Sequence, residues 1–405
     1  MNIHMRPYWI SRLADTRKPR FPAHRGELDA EVAIVGGGLL GCTTALVFAS
    51  AGVRTALVEA KRIGEHASAA APGVILPEPS LLLTALHAAS GRRSARIAWD
   101  LHRRAARDFA ALLRRANIRC DQAPADVVHY LSDRDSAREL ERERDLRGAM
   151  DIDGSWMTPL RASQQLHTGV AGALRVRGAM LFDPYRACLG LARTAARQRA
   201  RIFERSPVVR IRQGDGGVEV ETPRGTLRAA RVIVATGGPG RLFQPLGRRF
   251  NSLVTYRVVT QPLAARQRRQ LPAESMVLSE ASCPGHLLRW TRDHRLLFGG
   301  IERPRLPERS RPNALVQHSN QLMYELSLLY PGLSGIQPDY AWDALISASD
   351  DGLPYIGPHR HYPRHLFALG AGRSDGGTAL LAAQVLLRCH TDRAEKHDAL
   401  FGFGR

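Results

Sequence analysis

The chain of 405 residues carries 58 Lys and Arg against 38 Asp and Glu, which gives a formal net charge of +20 at pH 7. With 44% hydrophobic and 24% charged residues, the composition excludes a disordered chain, and the length predicts two or three structural units around a large core. The five cysteines form no Cys-x-x-Cys pair, so we expect no disulfide framework, no metal site and reduced thiols in the cytoplasm.

An excess of positive charge is typical of proteins that bind nucleic acid or an anionic membrane surface. Here only three of the basic residues are lysines, and the arginines run through almost the whole chain instead of forming one patch. The densest stretch, residues 92–119, interleaves arginine with alanine and leucine at helical spacing, which is typical of a surface helix. We therefore expect no nucleic-acid partner. A second charge-rich stretch, residues 133–147, predicts a helix with a solvated face.

Residues 32–53 contain no charged side chain and are long enough to span a bilayer. Three consecutive glycines, Gly36, Gly37 and Gly38, would weaken a helix in lipid. The N-terminal residues lack the uninterrupted apolar core of a signal peptide. We therefore expect no transmembrane segment.

The same stretch has the pattern of a dinucleotide-binding unit. Residues 31–35 predict a short buried strand, and G-x-G-x-x-G follows at Gly36, Gly38 and Gly41 before a helical stretch. The glycines permit a tight turn, close approach of a pyrophosphate and close packing of helix on strand. The next strand ends at Glu59, where a carboxylate accepts ribose hydroxyls. This unit alone leaves NAD and FAD open.

Two later glycine-rich segments favour the longer cofactor. Residues 231–238 predict a buried strand that runs into small residues, after an alternating strand pair within 208–221. Residues 370–377 form another glycine-rich loop between an apolar run and a helical stretch. A nucleotide-binding unit that is completed by two distant glycine-rich segments indicates a cofactor long enough to span the domain, which favours FAD.

These motifs, in this order, resemble those of the D-amino-acid-oxidase-like FAD-dependent oxidoreductases of the glycine oxidase, sarcosine oxidase and γ-glutamylputrescine oxidase type. The resemblance covers nearly the whole chain. It rests on Tyr8-Trp9, the unit 36–59, Ile63-Gly64, 68–73, 178–186, Pro207-Val208, 235–237, 260–263, 289–300, 351–357 and the loop from Gly370.

The resemblance implies an α/β fold in which a Rossmann-like FAD-binding domain is interleaved with an α+β substrate domain containing an antiparallel sheet. Residues 28–90, 177–250 and 337–405 would form the FAD domain, and residues 91–176 and 251–336 the substrate domain.

The resemblance also implies the cofactor contacts. The flavin-linking histidine of related dehydrogenases would fall at Ala70, and the flavin-linking cysteine of sarcosine oxidase has no counterpart, so we expect non-covalent FAD. The expected FAD-binding residues are Gly36, Gly38, Leu39, Leu40, Gly41, Glu59, Ala60, Lys61, Ser68, Gly73, Val74, Val208, Thr236, Gly237, Gly370, Arg373, Gly376 and Gly377.

The activity implied by the resemblance is oxidation of the C–N bond of a small amine or amino acid. Hydride passes to the flavin, the imine hydrolyses, and oxygen or another acceptor reoxidises the flavin. A carboxylate substrate needs an arginine, so we expect Arg289, Arg292 and Arg373 to position the substrate or the flavin. Further residues expected to line the substrate pocket are Tyr256, His286, Trp290 and Trp342.

One departure from the family pattern leaves other activities open. The putrescine-type relatives carry Ser-Gly-Arg-Asn-Gly-Gly where this chain has Ser-Ala-Ala-Ala-Pro-Gly at 68–73, so polar groups that touch the flavin are lost. The alternatives are an RNA-modifying flavoenzyme of the same superfamily and a flavin-binding protein without turnover. The substrate, the electron acceptor and the oligomeric state stay open.

Overall fold

Two β-sheets organise the chain in a computed structural model, which describes residues 3–214, 216–282, 285–372 and 376–405. The strands in these residues are β1 Gly26–Val35, β2 Thr55–Val58, β3 Val74–Ile75, β4 Ala123–Leu131, β5 Ser155–Met157, β6 Gly172–Leu181, β7 Arg201–Phe203, β8 Arg210–Gly214, β9 Gly217–Thr222, β10 Gly225–Gly237, β11 Asn251–Thr260, β12 Met276–Glu280, β13 Leu287–Trp290, β14 Leu296–Pro304, β15 Pro338–Ala348, β16 Tyr355–His359 and β17 Tyr362–Leu369. The α-helices are α1 Tyr8–Ser11, α2 Leu39–Ser50, α3 Ala67–Ala70, α4 Leu83–Arg115, α5 Arg134–Ala149, α6 Pro159–Leu166, α7 Pro184–Arg197, α8 Ala265–Arg268, α9 Arg311–Leu329 and α10 Gly376–His390.

The first sheet has a parallel centre with the order β16-β17-β10-β1-β2-β7. Its central strands read as continuous apolar runs, and residues 32–35 of β1 are all buried, as expected for strands covered on both faces. Helices α2, α7 and α10 pack together on one side. The antiparallel ribbon β8-β9 continues into β10 and packs its apolar residues over the other side.

The second sheet is mainly antiparallel, with the order β15-β11-β14-β13-β12-β4-β6-β3 and with β5 paired to β6. Successive residues of its strands point to opposite faces, and the two faces pack in different hydrophobic cores. Val254, Tyr256 and Val258 of β11 pack in one core with the apolar side of α9. Val259 of β11 and Trp342 of β15 belong to the other core, which continues into the first sheet and its helices. The second sheet therefore presents one face to α9 and the opposite face to the first sheet and its helices.

The predicted fold class is confirmed by these two sheets. The predicted domain ranges stay a prediction, and most strands of each sheet fall within them. Strands β3 and β15 pair in the antiparallel sheet, although the ranges 28–90 and 337–405 place them with the FAD domain. Strand β6 begins before residue 177 and ends after it.

No helix among the described residues is long and apolar enough to cross a membrane. The uncharged run 32–53 instead divides between the end of β1, the glycine turn and α2.

Candidate cofactor and substrate site

The glycine turn between β1 and α2 excludes side chains on steric grounds. Gly36 has φ +111°, a conformation that favours glycine, and a Cβ there would lie 2.6 Å from the Ala235 carbonyl oxygen. A Cβ on Gly41 would lie 1.8 Å from the Gly36 carbonyl oxygen. The strand, turn and helix therefore pack backbone against backbone, and the N-terminus of α2 points its N–H groups toward the turn, as an anion-binding site requires.

Glu59 follows β2 directly and reaches back to this turn. One carboxylate oxygen accepts a hydrogen bond from Gly37 N (2.6 Å), and the other accepts one from Lys61 N (2.8 Å). The side chain is buried, yet each carboxylate oxygen has a second lone pair for a further donor. Glu59 thus lies at the carboxyl end of a parallel strand beside the glycine turn, where the sequence places the ribose acceptor.

Ser68 connects the segment after β2 to the same turn. Its buried Oγ accepts a hydrogen bond from Leu39 N (2.7 Å), the first residue of α2, and lies 3.1 Å from the position of a Cβ on Gly38. Gly64 N also donates to Gly37 O (2.9 Å). Residues 64–68 therefore fold against the glycine turn, and the predicted contact of Ser68 with the cofactor stays a prediction.

The end of β10 lies next to the third glycine-rich loop. Thr236 and Gly237 are exposed, and Gly370 N donates a hydrogen bond to Gly237 O (2.9 Å). The predicted segments 231–238 and 370–377 thus meet, although 131 residues lie between them in the sequence. Val208 lies between β7 and β8, half-buried, and Ala60 is exposed beside Glu59.

The helix after this loop packs closely on α4. A Cβ on Gly376 would lie 1.9 Å from Phe109 Cε1, and one on Gly377 would lie 3.0 Å from Ala106 Cα. These two glycines therefore allow the N-terminus of α10 to approach α4. Arg373 lies outside the described residues.

The segment after Ser68 is bonded to the antiparallel sheet. The Trp342 indole N–H donates to Ala70 O (3.0 Å), and Arg289 Nη1 donates to Pro72 O (3.1 Å) and to Gly73 O. Val74 then pairs with Leu181 in the antiparallel sheet. Residues 68–75 therefore lie between the glycine turn on one side and the antiparallel sheet on the other.

The buried side chain of Arg289 holds this segment in place through hydrogen bonds to its backbone carbonyls. Besides these two carbonyls, its Nε donates to Trp290 O (2.9 Å), and its guanidinium lies 5.2 Å from the centre of the Trp9 ring. Burial lowers the pKa of Arg289 to about 10. Arg292 is exposed and pairs with Asp121 (2.9 Å). Both arginines line a cavity of about 450 Å³ near the N-terminal helix, and their predicted contact with substrate stays a prediction.

Three of the predicted pocket residues lie on the α9 face of the sheet. The Tyr256 ring is 4.3 Å from the ring of His318 on α9, and the Trp290 indole donates to Pro272 O (2.9 Å) in the same core. His286 contacts Glu280 (2.6 Å) and Glu325 (2.9 Å). Burial would lower the pKa of His286, but the two carboxylates outweigh it and raise the pKa.

Trp342 occupies the opposite face, together with residues that the sequence did not single out. Directly paired residues of neighbouring strands share a face, and a chain of such pairs crosses six strands from β15 to β4. We call this set the inner row. It consists of Trp342, Arg257, Gly299, Leu287, Ser279 and His129.

Arg257 is the cation of the inner row. It is buried, and a Cβ on Gly299 would lie 2.7 Å from Arg257 Cγ, so the missing side chain of Gly299 lets the arginine lie across β14. The sequence carries a signal for it, because Arg257 interrupts an otherwise apolar or neutral strand at the position that alternates with Tyr256 and Val258. A charged residue inside a buried strand indicates a function.

A buried network of charged side chains lies at the other end of the inner row, around His129. His129 Nε2 contacts one oxygen of Glu78, and Arg147 Nη1 contacts the other (2.9 Å), while Arg147 Nε bonds to Glu143 (2.7 Å). Burial would raise the pKa of Glu78, but His129 and Arg147 outweigh it and lower the pKa to about 2. The predicted helix over 133–147 has an exposed face that includes Glu139 and Arg142, but Glu143 and Arg147 are 0% and 1% exposed and face the interior.

The family model described as FAD dependent oxidoreductase (DAO) matches residues 31–388. The chain therefore belongs to this family, its cofactor is FAD, and the expected resemblance is confirmed. The described residues fit FAD, because the turn at Gly36 admits only backbone and Glu59 stands at the end of the next strand.

Curated relatives align over most of the chain. It is 26% identical to the probable oxidoreductase OrdL of Haemophilus influenzae, over 95% of this chain and 87% of the relative. It is 26% identical to glycine oxidase of Bacillus licheniformis, over 84% and 87%. It is 25% identical to gamma-glutamylputrescine oxidoreductase of Escherichia coli, over 92% and 86%.

Solved structures share the fold at lower identity. Glycine oxidase of Geobacillus kaustophilus superposes with a TM-score of 0.76 at 20% identity, covering 93% of this chain and 99% of that structure. L-amino acid deaminase of Proteus vulgaris gives a TM-score of 0.76 at 15% identity, covering 96% and 100%. These likenesses show that the two-sheet fold is shared.

Proposed function

We propose that this FAD-dependent oxidoreductase oxidises the C–N bond of a small amino compound that carries a carboxylate. The carbon next to nitrogen loses a hydride, the nitrogen lone pair forms the C=N bond, and water then hydrolyses the imine to a carbonyl compound and an amine. FAD, when bound, supplies the two-electron acceptor, and oxygen or another acceptor reoxidises it. The relatives named glycine oxidase and gamma-glutamylputrescine oxidoreductase support this class of substrate.

The residues proposed to hold FAD are mainly backbone groups. The N–H groups at the glycine turn and the start of α2 would meet the pyrophosphate, and Glu59 would accept from the ribose. Ser68 at the same turn and Gly370 beside Gly237 would border the rest of the cofactor. We propose that FAD is held without a covalent bond; yellow colour that stays with the denatured chain would contradict this.

The observation that carries the substrate class is the position of Arg257. Its buried guanidinium lies on the sheet face opposite α9, paired with Trp342, and Trp342 is bonded to Ala70 in the segment that reaches the glycine turn. An arginine fork binds a carboxylate through two parallel hydrogen bonds. We therefore assign the substrate carboxylate to Arg257 ahead of Arg289 and Arg292. Such contacts hold the C–H bond of the substrate in one orientation. Binding energy used for this positioning accelerates the reaction.

An anaerobic substrate screen tests this proposal. The FAD-loaded protein is mixed with primary and secondary amines, D-amino acids, L-amino acids and glycine derivatives, and the oxidised-flavin absorbance is followed. Each acid is paired with the amine that lacks its carboxylate, such as sarcosine with dimethylamine. We expect bleaching by at least one acid and little by its partner amine. A protein that retains FAD but is bleached by no amino compound would favour the flavin-binding alternative without turnover.

Arg257→Gln tests the assignment of the carboxylate. Loss of a bidentate charge-assisted contact predicts a KM for the acid raised roughly 10- to 100-fold, with FAD content unchanged. Arg257→Lys should recover part of the loss, because a charge remains without the fork. Arg193→Gln, an exposed arginine on α7, is the matched control. An unchanged KM in folded, FAD-loaded Arg257→Gln would contradict the assignment.

We also propose the cytoplasm as the site of this reaction. Cys42, Cys120 and Cys188 are buried free thiols, which suit a reducing compartment. Cell fractionation with an antibody against the chain tests this location.

A further inference from the structure

The cavity of about 450 Å³ beside α1 has walls that are bonded to one another. They come from α1, the start of β4, the residues that end β6 and follow it, and β13 with the turn after it. The Tyr8 hydroxyl donates to Asp293 in that turn, and the Trp9 indole donates to Ala71 O (3.0 Å). These contacts hold α1 in place as one wall. We call this space the N-terminal cavity.

One nitrogen of Arg289 opens into the N-terminal cavity. Arg289 lines the cavity and is 4% exposed. Its Nε donates to Trp290 O, and its Nη1 donates to Pro72 O and Gly73 O. The remaining nitrogen, Nη2, donates to none of the residues that the structure describes, yet it is not one of the enclosed side-chain atoms that lack a partner. Nη2 is therefore accessible to a ligand in the cavity.

The charge of Arg289 has no counter-ion of its own among the described residues. Burial lowers its pKa to about 10, because the nearby Tyr8 and Asp183 compensate for only part of the lost hydration. The three carboxylates that line the cavity pair with other cations, as Asp121–Arg292 (2.9 Å), Asp183–Arg186 (3.4 Å) and Glu274–Arg268 (3.4 Å). A buried cation without a counter-ion is costly, and a bound anion would supply one.

We propose that the N-terminal cavity binds a small monocarboxylate with an apolar body, whose carboxylate accepts a hydrogen bond from Arg289 Nη2. A hydrogen bond between two charged groups is stronger than one between neutral groups. The apolar body would contact Pro124, Leu181 and Phe182, which also line the cavity. The three carboxylates of the lining disfavour a second negative charge on the ligand, so a dicarboxylate or a phosphate is a poorer fit.

This site differs in position from the proposed substrate site. Arg257 and Arg289 lie on the same face of the second sheet, but on strands that β14 separates. Arg257 pairs with Gly299 in the inner row, whereas Arg289 pairs with Leu297, two residues nearer the turn between β13 and β14. None of the six residues of the inner row lines the N-terminal cavity. The inference therefore does not depend on the proposed activity.

Arg289 also connects the N-terminal cavity to the cofactor side. Its Nη1 bonds to the backbone at Pro72 and Gly73, in the same segment whose Ser68 accepts from Leu39 N at the start of α2. A carboxylate on Nη2 would thus bind a guanidinium that already holds this segment. For this reason the test uses the FAD-loaded full chain.

Titration calorimetry of the parent and of Arg257→Gln, in which the proposed substrate site is weakened, tests the proposal. The probes are phenylacetate, acetate, phenylsuccinate and benzylamine. We expect phenylacetate to bind one site per chain in Arg257→Gln, roughly 10-fold more tightly than acetate, which lacks the apolar body. A second site in the parent alone would belong to Arg257. No phenylacetate binding in folded Arg257→Gln, or binding of benzylamine or phenylsuccinate as tight as that of phenylacetate, would overturn the proposal.

Two variants locate the binding in the N-terminal cavity. Ser275 is an exposed residue of the lining, so Ser275→Trp should fill the cavity and weaken phenylacetate binding 10-fold or more, while the hydrogen bonds of Arg289 stay in place. Arg289→Lys removes Nη2 and should also weaken binding roughly 10-fold, and Ser275→Trp decides the question if Arg289→Lys does not fold. Ser334→Trp, at an exposed serine after α9, is the matched control. Unchanged binding in Ser275→Trp, or an equal loss in Ser334→Trp, would overturn the proposal.

Discussion

The two sides of the candidate site are built in opposite ways. On the cofactor side, a single stretch from Gly26 to Glu59 forms strand, turn, helix and strand, and the groups that would bind FAD are mostly backbone N–H groups. On the substrate side, the inner row draws one residue from each of six strands between positions 129 and 342, and side chains supply the chemistry. The cofactor side is specified by local sequence, whereas the substrate side depends on strand register across the whole sheet.

The largest effect is expected at the cofactor side. A Cβ on Gly41 would lie 1.8 Å from Gly36 O, so Gly41→Ala must displace the turn that meets the pyrophosphate. We expect the purified variant to contain no FAD, as judged by the ratio of flavin to protein absorbance. Gly148→Ala is the control, because a Cβ there meets nothing within 4 Å. A Gly41→Ala protein with full FAD content would contradict the role of backbone contact at this turn.

The next largest effect is expected at the end of the inner row. Glu78→Gln leaves Arg147 and His129 without their shared carboxylate, and breaking a buried ion pair costs about 3 kcal/mol or more of unfolding free energy. FAD content should change less than in Gly41→Ala, because Glu78 contacts none of the glycine turn. Urea unfolding at neutral pH measures the loss, and an equal stability of variant and parent would contradict the network.

The same variant makes a pH-dependent prediction. The folded-state pKa of Glu78 is lowered from its ordinary value of 4.5 to about 2, so its contribution to stability is present above pH 4.5 and is lost as the pH falls toward 2. The difference in unfolding free energy between parent and Glu78→Gln should therefore shrink across this window. A difference that stays constant from pH 5 to pH 2, roughly the span of the two pKa values, would show that Glu78 titrates normally.

A smaller effect is expected for the carboxylate beside the turn. Glu59→Gln keeps the shape of the side chain but weakens the hydrogen bonds that it accepts from Gly37 N, Lys61 N and the proposed ribose hydroxyls. Loss of charge-assisted hydrogen bonds predicts a Kd for FAD raised roughly 10-fold. Fluorescence titration of the apoprotein measures this. The control is Glu219→Gln, a half-buried carboxylate on β9 paired with Arg228, which should leave FAD affinity unchanged.

The strand–turn–helix–strand unit that ends at Glu59 is predictable because its signals lie close together in sequence. The spacing of Gly36, Gly41 and Glu59 requires only one strand–turn–helix–strand unit, and local sterics determine the rest. The position of Arg257 cannot be predicted in this way. Its neighbours Trp342 and Gly299 are 85 and 42 residues away in sequence and meet it only through strand pairing. In an arginine-rich chain, a single arginine in a strand carries little weight until the register shows which face it occupies.

Long-range contacts also explain the other positions at which the structure differs from what the sequence predicts. Arg289 and Trp290 belong to a motif that the sequence associates with the substrate, and period-2 alternation places them on opposite faces. The charge-rich run 133–147 predicts exposure, yet Glu143 bonds to Leu83 N (2.9 Å) and Thr84 N (2.8 Å) at the start of α4. No local pattern distinguishes this one buried glutamate from its exposed neighbours on α5. Its burial depends on α4 docking beside it.

The smallest effect concerns the contact between the two sides. Trp342→Phe keeps an aromatic ring in the inner row but removes the N–H that donates to Ala70 O. Loss of one buried hydrogen bond predicts about 1 kcal/mol less stability and an unchanged FAD content. If Trp342 also orients the segment 68–75, kcat should fall while the Kd for FAD stays constant. A parallel fall in FAD affinity would instead show that the antiparallel sheet helps to form the cofactor side. The cofactor side would then depend on long-range strand pairing as well as on local sequence.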